Sequence, residues 1–248
     1  MNKKLLLIAF SFLFFGKCLG QGLLQTDRPD QTEGVFIVGK KIFQIETGVL
    51  AAQNRGGKSN YLLPTTLLKY GLSNNFELQT IVDLVPENGS FGLSPVSFGF
   101  KANLAKEKGA RPEIAVIGRI QVKNLSSPEF TSPKSLPMFR VAFQNTLSEL
   151  VVLGYNVGMQ WNEFEKPSYI LSASSNFNIS KELVLYAELF NSTRENSLLN
   201  PIADMGLMYA IQNRFIVDGS IGKYLNPNQE ENLYVTVGFT TRFGYKER

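Results

Sequence analysis

The chain has 248 residues, a formal net charge of +4 and no histidine, and Cys18 is its sole cysteine. That length allows one large all-β unit or two ordinary domains, and so small a net charge points to no nucleic-acid partner. Without histidine, and with the one cysteine so near the N-terminus, Ser–His, Cys–His and zinc chemistries have nothing to build on.

The first twenty residues read as a secretory signal. Lys3 and Lys4 are basic, and Leu5 to Phe15 is an apolar run too short to span a bilayer. Cys18-Leu19-Gly20 offers small residues for cleavage before Gln21. The rival reading, a lipoprotein acylated at Cys18, is opposed by Lys17 directly before it. Nothing after Gly20 is long and apolar enough for a transmembrane helix. A mature chain is then either soluble in the periplasm or a barrel.

Residues 21–40 form an irregular segment, polar, with Pro29 and Gly34 and no period. From 41 to 245 the chain becomes a series of alternating stretches, beginning near residues 42, 60, 75, 94, 111, 136, 149, 168, 181, 201, 213 and 232. In one stretch Phe76, Leu78, Thr80, Val82 and Leu84 oppose Glu77, Gln79, Ile81 and Asp83. In the next, Val96, Phe98, Phe100, Ala102 and Leu104 oppose Ser97, Gly99, Lys101 and Asn103. In the last, Leu233, Val235, Val237, Phe239, Thr241 and Phe243 oppose Tyr234, Thr236, Gly238, Thr240 and Arg242. Short turn signals such as Ser73-Asn74-Asn75 and Gln212-Asn213-Arg214 alternate roughly with longer polar loops at 124–135, 162–167 and 192–200. A short charged tail, 246–248, follows.

This pattern predicts an all-β, transmembrane antiparallel up-and-down β-barrel of about 12 strands. A strand of about twelve residues rises about 40 Å and, tilted near 45°, covers about 28 Å, the height of an outer-membrane apolar band. Soluble sandwich strands are about half as long. Charges inside the stretches fall opposite the large apolar side chains: Lys69, Glu77, Asp83, Lys101, Arg119, Arg140, Glu188, Asp204, Asp218 and Arg242. On a soluble sheet that face would meet water. In a membrane it must line the lumen, because a cation facing midplane lipid costs about 2–4 kcal/mol. Aromatics at predicted strand ends, among them Tyr70, Phe91, Trp161 and Tyr169, fit interfacial girdles.

Particular motifs carry a resemblance. Thr26-Asp27-Arg28-Pro29-Asp30-Gln31-Thr32-Glu33, followed by Phe43-Gln44-Ile45-Glu46-Thr47-Gly48, resembles the opening of the MetA-pathway of phenol degradation family of outer-membrane barrels. Lys69-Tyr70-Gly71-Leu72 resembles a hairpin of that family in which arginine is usual where Lys69 stands. Ile216 to Gly222 resembles its penultimate strand. The resemblance implies an outer-membrane barrel of the kind labelled a transporter, with no substrate assigned. The charges of Asp27, Arg28, Asp30 and Glu33 suit a plug or strap pairing with Lys69, Lys101, Arg119 and Arg140. The alternative is a tail hanging below the barrel.

Glu188, Asp204 and Asp218 are expected near one another, neutralising Arg140 and Arg242 rather than holding Ca²⁺. The glycines of Phe91-Gly92, Phe98-Gly99 and Val157-Gly158 do not open a helix, so they form no phosphate loop. The expected function is passive passage of small solutes across the outer membrane, without metal or cofactor. Lipid, barrel-assembly machinery and periplasmic chaperones are the expected partners. A sealed structural or adhesion barrel is the alternative, and a barrel hydrolase is disfavoured for want of a catalytic constellation.

Overall fold

A computed structural model describes residues 24–28, 31–54, 56, 59–87, 90–163, 167–192, 201–226 and 231–244. The expected leader, 1–20, the tail, 246–248, and Pro29 and Asp30 lie outside the described residues. Thirteen strands follow in chain order: β1 (Phe43–Asn54), β2 (Ser59–Gly71), β3 (Phe76–Glu87), β4 (Ser90–Leu93), β5 (Ser97–Ala105), β6 (Glu113–Gln121), β7 (Leu136–Thr146), β8 (Val151–Gln160), β9 (Ser168–Asn178), β10 (Leu183–Ser192), β11 (Pro201–Ile211), β12 (Phe215–Tyr224) and β13 (Glu231–Phe243).

Every pairing is antiparallel between neighbours, and β1 pairs with both β2 and β13, which closes the sheet. Phe43 lies opposite Phe243, and Gly48 opposite Gly238, across that seam. Closure pairs every strand on both sides except the short β4, which has β3 as its only ladder partner among the described residues, and so removes the long open edges that a membrane-spanning sheet must avoid.

The fold differs from the expected strand list at one stave. Both β4 and β5 pair with β3, β4 opposite its last residues and β5 opposite its first. They are one stave in two pieces, so thirteen strands build a twelve-stave barrel. Pro95 sits in the break and has no N–H for the ladder. The Val96 amide is diverted to the Leu125 carbonyl at 3.0 Å. Val96 is consequently buried, not on the outer face where the alternation puts it.

Connections at 72–75, 147–150, 179–182 and 212–214 define a turn end, which also carries the start of β1 and the end of β13. The opposite, loop end has the long connection 122–135, and β8, β9, β10 and β11 have their Gln160, Ser168, Ser192 and Pro201 ends there, as do β3 and β4 with Glu87 paired to Ser90.

The two faces differ as the alternation requires. Lys69, Glu77 and Lys101 are 0% exposed on the inside, while their neighbours Tyr70, Leu78 and Phe100 are 42%, 44% and 37% exposed on the outside. Val235, Val237 and Phe239 continue the outer apolar surface across the seam. A soluble monomer rarely exposes so continuous an apolar surface. Phe43 stacks on Phe243, and Phe215 on Phe239, with centroids 6.4 and 5.4 Å apart, while Phe91, Trp161 and Tyr169 are exposed toward the loop end. No helix among the described residues is long and apolar enough to cross a membrane.

Candidate functional site

The interior is occupied by residues 24–28 and 31–40, which arch along the inner wall. The arch begins at the turn end, where Leu24 packs on Ala210 and Ile216. It climbs past Glu46, which accepts hydrogen bonds from Thr26 Oγ1 and the Asp27 amide, both at 2.9 Å. It then runs past β10, β8 and β6 and descends to Val38, whose amide donates to Glu77 Oε2 at 2.8 Å. At the rim Gly39, at φ +93°, and Lys41, at φ +63°, turn the chain into β1. Gly71 lies so close there that an added Cβ would meet the Gly39 carbonyl oxygen at 1.7 Å. The Lys69-Tyr70-Gly71 motif thus has three separate tasks. Lys69 points in, Tyr70 points out, and Gly71 lets the arch cross the rim.

Charge complementarity follows the arch. Asp27 accepts from Lys69 and, at 2.7 Å, from Lys101 Nζ, while its second oxygen takes the Gly34 amide at 2.8 Å. Lys69 also pairs with Glu46. Glu33 pairs with Arg119 and lies 3.4 Å from Lys101. Arg119 donates twice more to Gln79 Oε1, at 2.9 and 2.7 Å. The Phe36 ring lies beneath both lysines, 4.6 Å from Lys69 Nζ and 5.3 Å from Lys101 Nζ, in cation–π range.

Across the barrel the signs reverse. Arg28 donates to Asp218 Oδ1 at 3.2 Å and to Thr236 Oγ1 at 2.9 Å. Its guanidinium fits against the paired glycines of the seam. A Cβ on Gly48 would fall 2.2 Å from Arg28 Nη2, and one on Gly238 2.5 Å from Arg28 Nε. The wall therefore carries the cations Lys69, Lys101, Arg119 and Arg140 on β2, β5, β6 and β7, with Glu46 and Glu77 of β1 and β3 among them, and the carboxylates Glu188, Asp204 and Asp218 on β10, β11 and β12. The arch presents acids to the first and a cation to the second.

Burial by itself would raise the carboxyl pKa of Asp27, but the Lys101 and Lys69 ammoniums outweigh it and hold the group below its ordinary value. Burial likewise opposes ionisation of Glu33, and Arg119, then Lys101, then Arg140 pull it well below the usual carboxylate range. Both acids are therefore anionic at neutral pH, as their contacts require.

At mid-height the arch is fastened through its backbone. Glu188 accepts from the Gln31 amide at 2.7 Å, the Thr32 amide at 3.0 Å and Thr32 Oγ1 at 2.7 Å. Asn156 takes the Glu33 amide at 2.8 Å and returns a bond to the Glu33 carbonyl at 3.0 Å. Arg140 donates to the Gln31 carbonyl at 2.9 Å and to Asn156 Oδ1 at 3.2 Å.

These contacts correct one expectation. The acids of β10 to β12 do not converge on Arg140. Glu188 and Asp204 are register partners, but Glu188 is spent on the arch backbone and Asp218 on Arg28. Asp204 accepts from the hydroxyls of Tyr234, Tyr186 and Ser220. Arg140 is drawn to a peptide carbonyl of the arch, a partner no wall sequence reveals. Asp83 accepts from Thr65 at 2.6 Å, away from the arch, and Arg242 faces inward opposite Gln44. Among the described residues no group of three or more acids, cysteines or histidines could hold a metal ion.

Sequence reading singled out neither Glu46, Gln79, Asn156 nor Phe36 as site residues. The strand parity that places Lys69 inside also places Glu46, Gln79 and Asn156 there, so the signal was present for those three. Phe36 belongs to the aperiodic segment and had none.

Two cavities flank the arch. One, of about 360 Å³, lies toward the turn end and touches Thr32 and Glu33. The other, of about 180 Å³, lies toward the loop end and touches Gln31 and Arg140.

Solved structures share this architecture. The COG4313 outer membrane channel from Pseudomonas putida F1 aligns with TM-score 0.65 at 9% identity, covering 87% of this chain and 99% of that one. The KdgM porin in complex with disordered oligogalacturonate aligns with TM-score 0.60 at 10% identity, over 81% and 99%. The Acinetobacter baumannii outer membrane protein Omp33 gives TM-score 0.50 at 9% identity, over 83% and 99%. At such identities the likeness carries the fold alone. No curated protein matches the sequence. The sequence pattern of one family matches residues 26–243, from the Thr26-Asp27-Arg28 opening to the end of β13, and the chain belongs to that family, described as "Putative MetA-pathway of phenol degradation".

Proposed function

We propose that this chain is an outer-membrane channel for passive passage of small solutes, and that residues 24–28 and 31–40 belong to a lumen strap that narrows it. The observation that carries the reading is the matched ion pairing of Asp27, Glu33 and Arg28 with opposite walls of a closed barrel. An adhesion or purely structural barrel has no need of a second, charge-matched element through its interior. Twelve staves leave a bore between that of small filled barrels and wide porins, so a single strand-width strap is enough to restrict it.

The reading extends to location and partners. Lipid covers the outer apolar face, and assembly proceeds through the barrel-assembly machinery and periplasmic chaperones. The protein is a conduit rather than an enzyme, because its interior acids are committed to the strap and to neighbouring hydroxyls. The oligogalacturonate bound to the KdgM porin is an instance of solute in a barrel of this architecture, and supports passage without naming a solute for this chain.

Purified protein in planar bilayers and liposomes tests the reading. Discrete conductance steps and solute-driven swelling are expected, both rising when Asp27 is replaced by asparagine. Silence of the native chain and of the D27N variant in both assays would overturn it.

A further inference from the structure

The inward cations of β2, β5, β6 and β7 differ in their partners. Lys69 and Lys101 pair with Asp27, and Arg119 pairs with Glu33. Arg140 has no carboxylate within ion-pair distance among the described residues. Its Nη1 donates to two neutral acceptors, the Gln31 carbonyl at 2.9 Å and Asn156 Oδ1 at 3.2 Å. Its Nε is enclosed by protein, but its Nη2 is neither enclosed nor bonded, and Arg140 lines the cavity toward the loop end. No acid lines that cavity among the described residues. Glu188, on the neighbouring wall, is occupied by the donors of Gln31 and Thr32. A cation withdrawn from water is normally matched by a counter-charge, so Arg140 is one half of an unmade pair.

Strand register explains why there is space beside it. Arg140 of β7 lies opposite Gly158 of β8, and Gly158 lies opposite Ile170 of β9. A glycine thus separates the arginine from the isoleucine on one inward row, and no side chain fills the gap. The next inward row toward the loop end holds Gln160 and Ser168, which also line the cavity. Gln160 is exposed and carries a carboxamide. Ser168 accepts from Asn162 Nδ2 at 3.2 Å, which leaves its own O–H to donate. Ile170 and Phe190 give the cavity an apolar side.

We infer that the loop-end cavity is a binding site for small organic monocarboxylates, with Arg140 as its anchor. Its place on a solute route, as the position where an entering molecule is first held, rests on the channel reading; the binding itself does not. The chemistry of the lining decides the class. The free Nη2 offers two N–H donors carrying positive charge, and a carboxylate oxygen accepts such a bond about twice as strongly as a neutral acceptor does. Guanidinium stays protonated throughout the ordinary pH range, so the preference for an anion is fixed. A cation meets like charge there and no acid. With one guanidinium and otherwise neutral donors, the site matches a single negative charge. Ile170 and Phe190 cover a short carbon body, which an inorganic anion lacks. The volume of about 180 Å³ is below the ~300–1,000 Å³ of ordinary ligand pockets, which suits an acid of a few carbons rather than an oligomer.

Ligand-observed NMR titration of the folded barrel in non-ionic detergent, with butyrate and with butyramide as its uncharged isostere, tests the site without any conductance. The wild type should bind butyrate at least about tenfold more tightly than butyramide, since only the anion makes the charge-assisted bond. Gln160→Glu is the decisive variant. Position 160 lies diagonal to Arg140 across the β7–β8 pair, within reach of a long side chain, so the new carboxylate takes the guanidinium. Butyrate affinity should fall at least about tenfold, while heat-modifiable mobility and exchange protection of 26–38 stay as in the wild type. Arg140→Gln should abolish the preference for butyrate and Arg140→Lys should keep most of it, because lysine retains the charge. Equal binding of butyrate and butyramide, or butyrate affinity unchanged in Q160E, overturns the site. Chloride displacing butyrate at equal concentration overturns the organic class. Butyrate binding that appears only in D30N means that the chain's own Asp30, which lies outside the described residues, holds Arg140, and this too overturns the site. Each of these results leaves the channel reading standing, since conductance is read separately. Electrical silence of the wild type and D27N beside intact butyrate binding overturns the channel reading and the route, and leaves the site.

Discussion

Replacing Asp27 by asparagine separates docking of the strap from folding of the barrel. The substitution keeps shape and removes one charge from a site where Asp27 meets Lys101 Nζ at 2.7 Å and also Lys69. Removing one partner from a buried ion pair costs about 3–5 kcal/mol, because the other charge is left without compensation. Here Lys69 retains Glu46, and Lys101 retains Glu33 at 3.4 Å. The loss therefore falls at the lower end, about 3 kcal/mol, or roughly a hundredfold in the ratio of docked to released strap. Hydrogen exchange in detergent micelles reads this directly. The amides of Asp27, Gln31, Thr32, Glu33 and Val38 all donate to wall side chains. Peptides covering 26–38 should exchange up to about a hundredfold faster in D27N, while those from the β1–β13 seam keep their protection. The pair D27N/K101M should lose less than the sum of its single losses, since it leaves no orphan charge on Lys101. Wild-type protection of 26–38 in D27N would refute the argument that this ion pair holds the strap. Loss of protection in strap and seam together would refute the independence of strap and barrel.

Glu188→Gln should loosen the strap at mid-height, because a carboxamide presents only one acceptor oxygen to the three donors of Gln31 and Thr32. Single-channel conductance should rise while heat-modifiable mobility stays as in the wild type. In the Glu188→Gln background, which leaves no titrating carboxylate on Gln31 and Thr32, docking should be insensitive to pH between about 8 and 5. The Asp27 and Glu33 carboxyls are depressed in the folded state, so their stabilisation is complete above their unfolded values. It is lost only as pH falls through the folded values, so protection of 26–38 should decline below about pH 4 and not before. Protection falling already at pH 6 in that background would contradict this. Val237, 54% exposed on the outer face, reports on lipid contact. Val237→Arg should cost up to about 2–4 kcal/mol in refolding into lipid vesicles, and Val237→Ala far less. Equal refolding yields for the two would argue that this face does not meet lipid.

The sequence by itself determined the barrel. Period-two alternation over stretches of membrane-spanning length located the start of nearly every stave within a few residues. The same parity put Lys69, Glu77, Lys101, Arg119, Glu188 and Asp218 on one face, because in a strand side-chain direction depends only on odd or even position. The interrupted stave at Pro95 escaped that reading, since its neighbours alternate correctly on both sides and the break depends on where the Val96 amide finds its acceptor. What only the tertiary structure decided is the pairing across the interior. Residues 24–40 have no period, so nothing local says which wall Asp27 or Arg28 will face. Their positions follow from closure of the barrel, which sets β5 and β6 across the bore from β12 and β13. The slot made by Gly48 and Gly238 and the two cavities arise the same way, from backbone distances between strands far apart in the chain.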